Sequence, residues 1–189
     1  MLGGHRAVVV GGPWMGGGDL GNLGDGYPSG GDAGFPHARF NGAGDGLQVN
    51  LNPIQGCDRF FIEIDFVPEP GGLREQRFFH IQEDGSDHRV LFETRLTADG
   101  FWYADTFVKS AGGEAYLNDP TLLHPTGRRH TMGLLCDGNR MVQYVDGIAE
   151  LETPLKFQPL GPGSTSIGMR IDRVFWFKGA ICSIRIHGG

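Results

Sequence analysis

The stretch from Arg128 to His187 admits strands and turns and almost nothing that suits a helix. Within it, Arg129-His-Thr-Met-Gly-Leu-Leu-Cys-Asp-Gly-Asn-Arg-Met-Val-Gln-Tyr-Val-Asp-Gly147 sets two apolar runs either side of Asp137-Gly138-Asn139, and a second Asp-Gly follows at 146–147. Aspartate and glycine tolerate the positive φ that tight hairpin turns need, so this spacing predicts paired strands joined by short turns. Further on, Ser166-Ile-Gly-Met-Arg170 leads to Phe177-Lys-Gly-Ala-Ile-Cys-Ser-Ile-Arg-Ile-His187, a closing strand entered through a glycine.

Period-two alternation extends this pattern upstream. In Phe60-Phe-Ile-Glu-Ile-Asp-Phe-Val67, the set Phe60, Ile62, Ile64 and Phe66 is predicted to face a core, with Phe61, Glu63, Asp65 and Val67 facing away. A strand near Arg77–Gln82 would bury Phe79 and Ile81 and turn Phe78, His80 and Gln82 outward. His88–Leu96 puts Val90, Phe92 and Thr94 on one face and Leu91, Glu93 and Arg95 on the other. Phe101–Lys109 separates Phe101, Tyr103, Asp105 and Phe107 from Trp102, Ala104, Thr106 and Val108, and burial is the expected fate of Trp102. Residues 110–127 read as a longer loop. Strands and turns recurring every 8–12 residues or so predict a two-sheet antiparallel sandwich of about twelve strands.

The 189 residues suit one domain with a substantial core, spanning 36–189 behind an arm at 1–35. Glycine supplies 33 residues, well above the usual share of about 7%, and many of them crowd the arm. The arm is expected to be irregular and pinned by Trp14. Its Asp19, Asp25 and Asp32 could offer hard oxygen ligands, but they match neither an EF-hand nor a calcium-binding nonapeptide repeat. The N-terminal apolar run is too short for a signal peptide, so the protein is either cytoplasmic, or extracellular with a leader removed. No run reaches the roughly 20 apolar residues of a membrane span.

A net charge of −6 gives nucleic acid no basic face to bind. The basic residues are thirteen arginines and three lysines, and arginine forks suit carboxylates and sugar hydroxyls. Three cysteines, Cys57, Cys136 and Cys182, leave at least one thiol unpaired; all three are expected to be reduced, with Cys136 and Cys182 on apolar strand faces. Seven histidines are scattered without a His-x-x-x-His or Cys-x-x-Cys pair, so no zinc site is expected. Gly-x-Ser-x-Gly, phosphate-loop and dinucleotide fingerprints are also missing.

Tyr144-Val-Asp-Gly147, Ile167-Gly168 and Phe177-Lys-Gly-Ala-Ile181, with the opening pair in Ala38–Asn50 and the strand Arg59–Pro68, resemble a laminin-G-like or pentraxin-like domain. These belong to the concanavalin A-like lectin/glucanase superfamily, and the resemblance covers roughly residues 36–187. It implies an all-β jelly-roll sandwich whose concave outer sheet face meets a glycan or polysaccharide. The superfamily hosts lectins, adhesion modules, hydrolases and lyases, so the fold does not select the activity.

The ligand-binding candidates at matched parity are Glu63, Asp65, Gln82, Glu93 and Asp105, joined by His80, Arg95 and Tyr103 if the four strands are neighbours. A retaining glucanase needs two carboxyl groups about 5–5.5 Å apart. Its second glutamate is missing after Glu63-Ile-Asp65, where Pro68 interrupts and Glu69 falls one place late. Uronate-directed lyase chemistry would use Tyr103 or His80 for proton transfer and Arg95, with Gln82, against the carboxylate. The ordered lyase motif is absent, with His80-Ile-Gln82 running the other way. The expected function is therefore a non-catalytic glycan-binding or adhesion-type module. A lyase, ranked ahead of a hydrolase, is the alternative, and a structural interaction module the third reading. Calcium is compatible with the resemblance, but no spacing fixes a ligand set, so no cofactor is expected.

Overall fold

Two antiparallel sheets, facing one another across a layer of aromatic and branched side chains, build the structure, a computed structural model that describes residues 6–9 and 37–189. Sheet A runs β1 (Arg6–Val9), β14 (Lys178–Gly188), β4 (Phe60–Pro68), β10 (His130–Cys136), β11 (Arg140–Val145) and β12 (Ile148–Pro154), with β2 (Ala38–Asn41) also paired to β14. Sheet B runs β3 (Leu47–Val49), β13 (Gly163–Ile167), β5 (Glu75–Glu83), β6 (Arg89–Leu96), β7 (Phe101–Ser110) and β8 (Gly113–Asn118), with β9 (His124–Pro125) added to β7. Among the described residues there is no helix. The all-β sandwich expected from the alternation is the observed architecture, with fourteen strands among the described residues rather than about twelve.

The hairpin chemistry is the anticipated one. Asp146 and Gly147 both adopt positive φ between Val145 and its partner Ile148, the requirement of a type I′ turn. The inward set of β4, namely Phe60, Ile62, Ile64 and Phe66, is buried against Phe78, Phe92, Trp102 and Phe177. Phe66 and Phe78 stack with centroids 4.7 Å apart, and Trp102 meets Phe66 edge-on at 5.2 Å. Such ring pairs add roughly 0.5–1.5 kcal/mol beyond the area they remove from water.

The structure corrects the expected facing of Phe78. A β-bulge between Arg77 and Phe79 shifts the β5–β6 register, so Arg77 lies opposite Glu93 and Phe79 opposite Phe92. Phe78 and Phe79 both enter the core, and the residues before the bulge reverse their facing. Glu75 and Arg77, which strict alternation would have buried, therefore emerge on the outer face. Cys136 lies in the core, where burial pushes its thiol up to about 11. Cys182 instead falls at the irregularity between Ile181 and Ser183 in β14 and is half-buried. Four residues of the segment expected as an irregular arm form β1; Trp14, Asp19, Asp25 and Asp32 lie outside the described residues.

Candidate functional site

Strand register sorts the outer face of sheet B into rows. Glu75 lies opposite Arg95, and Arg95 opposite Tyr103. Beside that row run Arg77, Glu93, Asp105 and Asn118; then His80, Leu91, Phe107 and Tyr116; then Gln82, Arg89, Lys109 and Glu114. Six of the eight sequence candidates, namely His80, Gln82, Glu93, Arg95, Tyr103 and Asp105, thus share one face. The other two do not. Strand β4 belongs to sheet A, so Glu63 and Asp65 point from the opposite side of the sandwich. There Arg185 donates to Glu63 at 2.7 Å, and the Arg129 guanidinium engages both oxygens of Asp65. Consecutive strands need not be sheet neighbours: the chain crosses from β4 to the other sheet before β5.

The candidate face is densely paired. Arg95 reaches Glu75 at 2.5 Å, Asp105 at 2.8 Å and Glu93 at 3.3 Å. Arg77 approaches Glu93 at 3.0 Å and Glu75 at 3.4 Å, and its guanidinium lies over the Phe175 ring, 3.5 Å from the centroid. Burial, assisted against both arginines by the Asp105 charge, pushes the Glu93 carboxyl up to about 7. Arg95 is thus encircled by carboxylates. The Gln82 side-chain amide donates to the Ser86 carbonyl at 2.9 Å, and Tyr103 is partly exposed.

His80 occupies the floor. It is fully buried, and its Nδ1 accepts the Ile171 backbone N–H at 3.1 Å, so a neutral ring carries its proton on Nε2. That Nε2 has no hydrogen-bond partner. Burial, with the charges of Arg170, Arg89 and Arg77, lowers the His80 pKa to about 3. The segment 168–177 closes over this floor from the end of β13: Gly168 N–H donates to Phe78, and Arg77 N–H donates to the Phe175 carbonyl. Arg173 and Phe175 both adopt positive φ, at 61° and 56°. A left-handed conformation in two bulky residues is costly, and here it places the ring that covers Arg77.

Sequence reasoning missed Arg77, Arg89, Phe107, Tyr116 and Arg170. Arg89 and Phe107 already had the outward parity of their strands and could have been found from it; Arg77 was hidden by the bulge. Tyr116 lay in residues read as loop, and Arg170 in a turn with no periodic signal. Among the described residues Arg89 makes no ion pair with a carboxylate; it donates to the Asp87 carbonyl at 2.7 Å and lies 4.4 Å from the Phe107 ring centroid. Burial and the Arg170 charge depress the Arg89 pKa. Arg170 has one distant partner, Asp172 at 3.5 Å.

No known family model matches this sequence, and no curated protein does. Solved structures do match. Domain 4 of AbnA, a GH43 extracellular arabinanase from Geobacillus stearothermophilus solved with arabinotriose, aligns at a TM-score of 0.58 and 18% identity, over 81% of this chain and 70% of that one. The CBM40 module of the Ruminococcus gnavus IT-sialidase, solved with α2,3-sialyllactose, aligns at 0.61 and 14%, over 79% and 88%. A heptameric SAP-like pentraxin from Limulus polyphemus aligns at 0.55 and 16%, over 85% and 73%. The chain shares with these domains a β-sandwich fold, and its two antiparallel sheets fit the concanavalin A-like arrangement.

Proposed function

We propose that the protein is a non-catalytic glycan-binding module that takes an acidic sugar on the outer face of sheet B. The observation that carries this reading is the crowd of guanidinium groups above His80. Among the described residues Arg77 is compensated by glutamates, whereas Arg89 has no ion pair and Arg170 only Asp172 at 3.5 Å, and burial together with the Arg170 charge depresses the Arg89 pKa. Like charges held together at a partly buried surface are stabilised by an anion between them. The carboxylate role expected of Arg95 passes to Arg89 and Arg170, because Arg95 is already occupied by Glu75, Glu93 and Asp105. Tyr116, the most exposed aromatic residue of this face, offers a platform for a sugar ring one row away. The GH43 domain and the CBM40 module, solved with sugars, support a glycan as the ligand class.

Binding is favoured over the lyase alternative by the state of His80. A general base must reach the proton it removes, and this imidazole is fully buried with Nδ1 already accepting a backbone N–H. A glycan array spanning uronic, sialylated and neutral glycans, with parallel product detection, tests both readings. Saturable binding of acidic glycans without products is expected, falling at least about tenfold in Arg89→Ala and Arg170→Ala, the scale of a lost charged hydrogen bond. Product formation would establish the enzyme reading; no binding to any acidic glycan would overturn the proposal.

A further inference from the structure

Away from the arginine face, three potential metal ligands, His124, His130 and Asp146, meet from both sheets, with Glu150 set against His124. His124 lies on β9 of sheet B, opposite Trp102. His130 opens β10, Asp146 occupies the β11–β12 turn and Glu150 lies on β12, all in sheet A. Ligand atoms of His124, His130 and Asp146 all fall within 4.8 Å of one another. His124 Nε2 stands 2.9 Å from Glu150 Oε1, and His130 Nδ1 stands 2.8 Å from Asp146 Oδ2. We propose that these four side chains form a zinc site that staples sheet A to sheet B.

Two independent histidine–carboxylate pairs could also bring these groups together, but such pairs would satisfy their polar atoms. Here the His124 Nε2–Glu150 Oε1 contact is close but not aligned as a hydrogen bond, and Glu150 Oε2 is buried without a partner, as is Nε1 of Trp102, whose ring packs 4.9 Å from His124 and 5.3 Å from His130. A misaligned imidazole nitrogen beside an unpartnered carboxylate oxygen offers lone pairs that a cation would satisfy better than the present contact does.

The surrounding bonds already orient the ligands. His130 Nε2 faces the Pro125 carbonyl at 2.9 Å, an acceptor only, so Nε2 carries a proton and donates. With Nε2 donating there, Nδ1, which faces Asp146, is the ring nitrogen a metal would take in exchange for a proton, the outer arrangement common to metal-ligating histidines. Thr131 N–H donates to Asp146 Oδ1 at 2.8 Å and leaves Oδ2 toward His130. Zn–N bonds of about 2.0–2.1 Å space tetrahedral ligands roughly 3.3 Å apart, against at most 4.8 Å between the ligand atoms of His124, His130 and Asp146. Two imidazoles and two carboxylates suit zinc better than calcium or magnesium, which favour all-oxygen shells, and the two negative charges neutralise a divalent ion. The sequence offered no ligand spacing because the four residues come from three strands and a turn, and His124 joins the others only after the sheets pack.

Zinc alone, titrated calorimetrically into the full chain, provides the test, with cobalt(II) absorption as the reporter of geometry. One ion per chain is expected, with the intense visible bands of tetrahedral cobalt and no thiolate charge-transfer band. Free zinc at a hundred times Kd should raise Tm by roughly 5–10 °C. His124→Ala and Glu150→Gln, which spare the His130–Asp146 turn contact and so the fold, should each weaken binding at least about tenfold. An unchanged Tm, octahedral cobalt, cysteine ligation, or variants that bind zinc like the parent would each overturn the site.

Discussion

The outer faces of the two sheets carry the same residue types at the same period and use them differently. On sheet A, Glu63–Arg185 and Arg140–Glu152 join side chains that solvent reaches from several sides, and Asp65, under Arg129, is buried. On sheet B, Glu93 and Asp105 are nearly lost from solvent, Arg95 bridges them, the Phe175 ring covers Arg77, and segment 168–177 roofs His80. Exposed pairs contribute about 0–1 kcal/mol, because water screens them and two flexible side chains must be ordered. Removing one member of a buried pair strands the other charge in a poor solvent, at about 3–5 kcal/mol. Cover, more than composition, separates the two faces.

The sharpest way to break this comparison is Arg95→Ala, which leaves Glu75, Glu93 and Asp105 without their shared cation. A loss of about 3–5 kcal/mol is expected in urea unfolding. A loss below about 1 kcal/mol would mean that sheet B is as solvated as sheet A. Next in size is Gly168→Ala, at the entry to the roof. Gly168 has φ of +79°, and an added Cβ would lie 2.1 Å from a ring carbon of buried Phe40. Backbone strain and overpacking together are expected to cost about 2–4 kcal/mol and to weaken ligand binding through displaced Arg170, as read by denaturant melts and the glycan array.

Much of this face was legible before folding. Alternation within β6 and β7 oriented Glu93, Arg95, Tyr103 and Asp105 together, because a strand's side-chain period is set by its own backbone. The pairing of Glu75 with Arg95 was not legible, since a single extra residue at Phe78 inverts half of β5 and no turn residue marks the bulge. Grouping Glu63 and Asp65 with that face failed for a longer-range reason: sheet membership depends on the crossover after Pro68, which period-two patterning does not encode. The His124–Glu150 contact is farther still from local signals, as it needs both sheets in place.

Acid titration sharpens the comparison further, because two groups on the sheet B face oppose each other. Between pH 3 and 6.5 the unfolded chain protonates His80 while the folded protein does not, so this group withdraws stability as pH falls. Between pH 4.5 and 7 the folded protein protonates Glu93 while the unfolded chain does not, so this group adds stability as pH falls. Their slopes cancel between 4.5 and 6.5. Below 4.5 only the His80 slope remains of the two, about 1.4 kcal/mol per pH unit. Glu93→Gln is therefore expected to lose the flat region and to begin its decline near pH 6.5 in chemical-denaturation profiles. A Glu93→Gln profile parallel to the parent's would show that Glu93 titrates as an ordinary exposed glutamate.

The smallest effect is expected on the other face, and its smallness is the point. Glu63 and Arg185 pair at 2.7 Å, a distance as favourable as any on sheet B, but their side chains remain 32% and 51% exposed. Arg185→Ala leaves a glutamate that water can solvate, so the cost should stay within about 1 kcal/mol and shrink further at high salt. Glycan binding should be unchanged, because Glu63 and Arg185 face away from the Arg89–Arg170 surface across the full thickness of the sandwich. A tenfold loss of binding in Arg185→Ala, with stability intact, would move the ligand to sheet A and end the assignment of the site to sheet B.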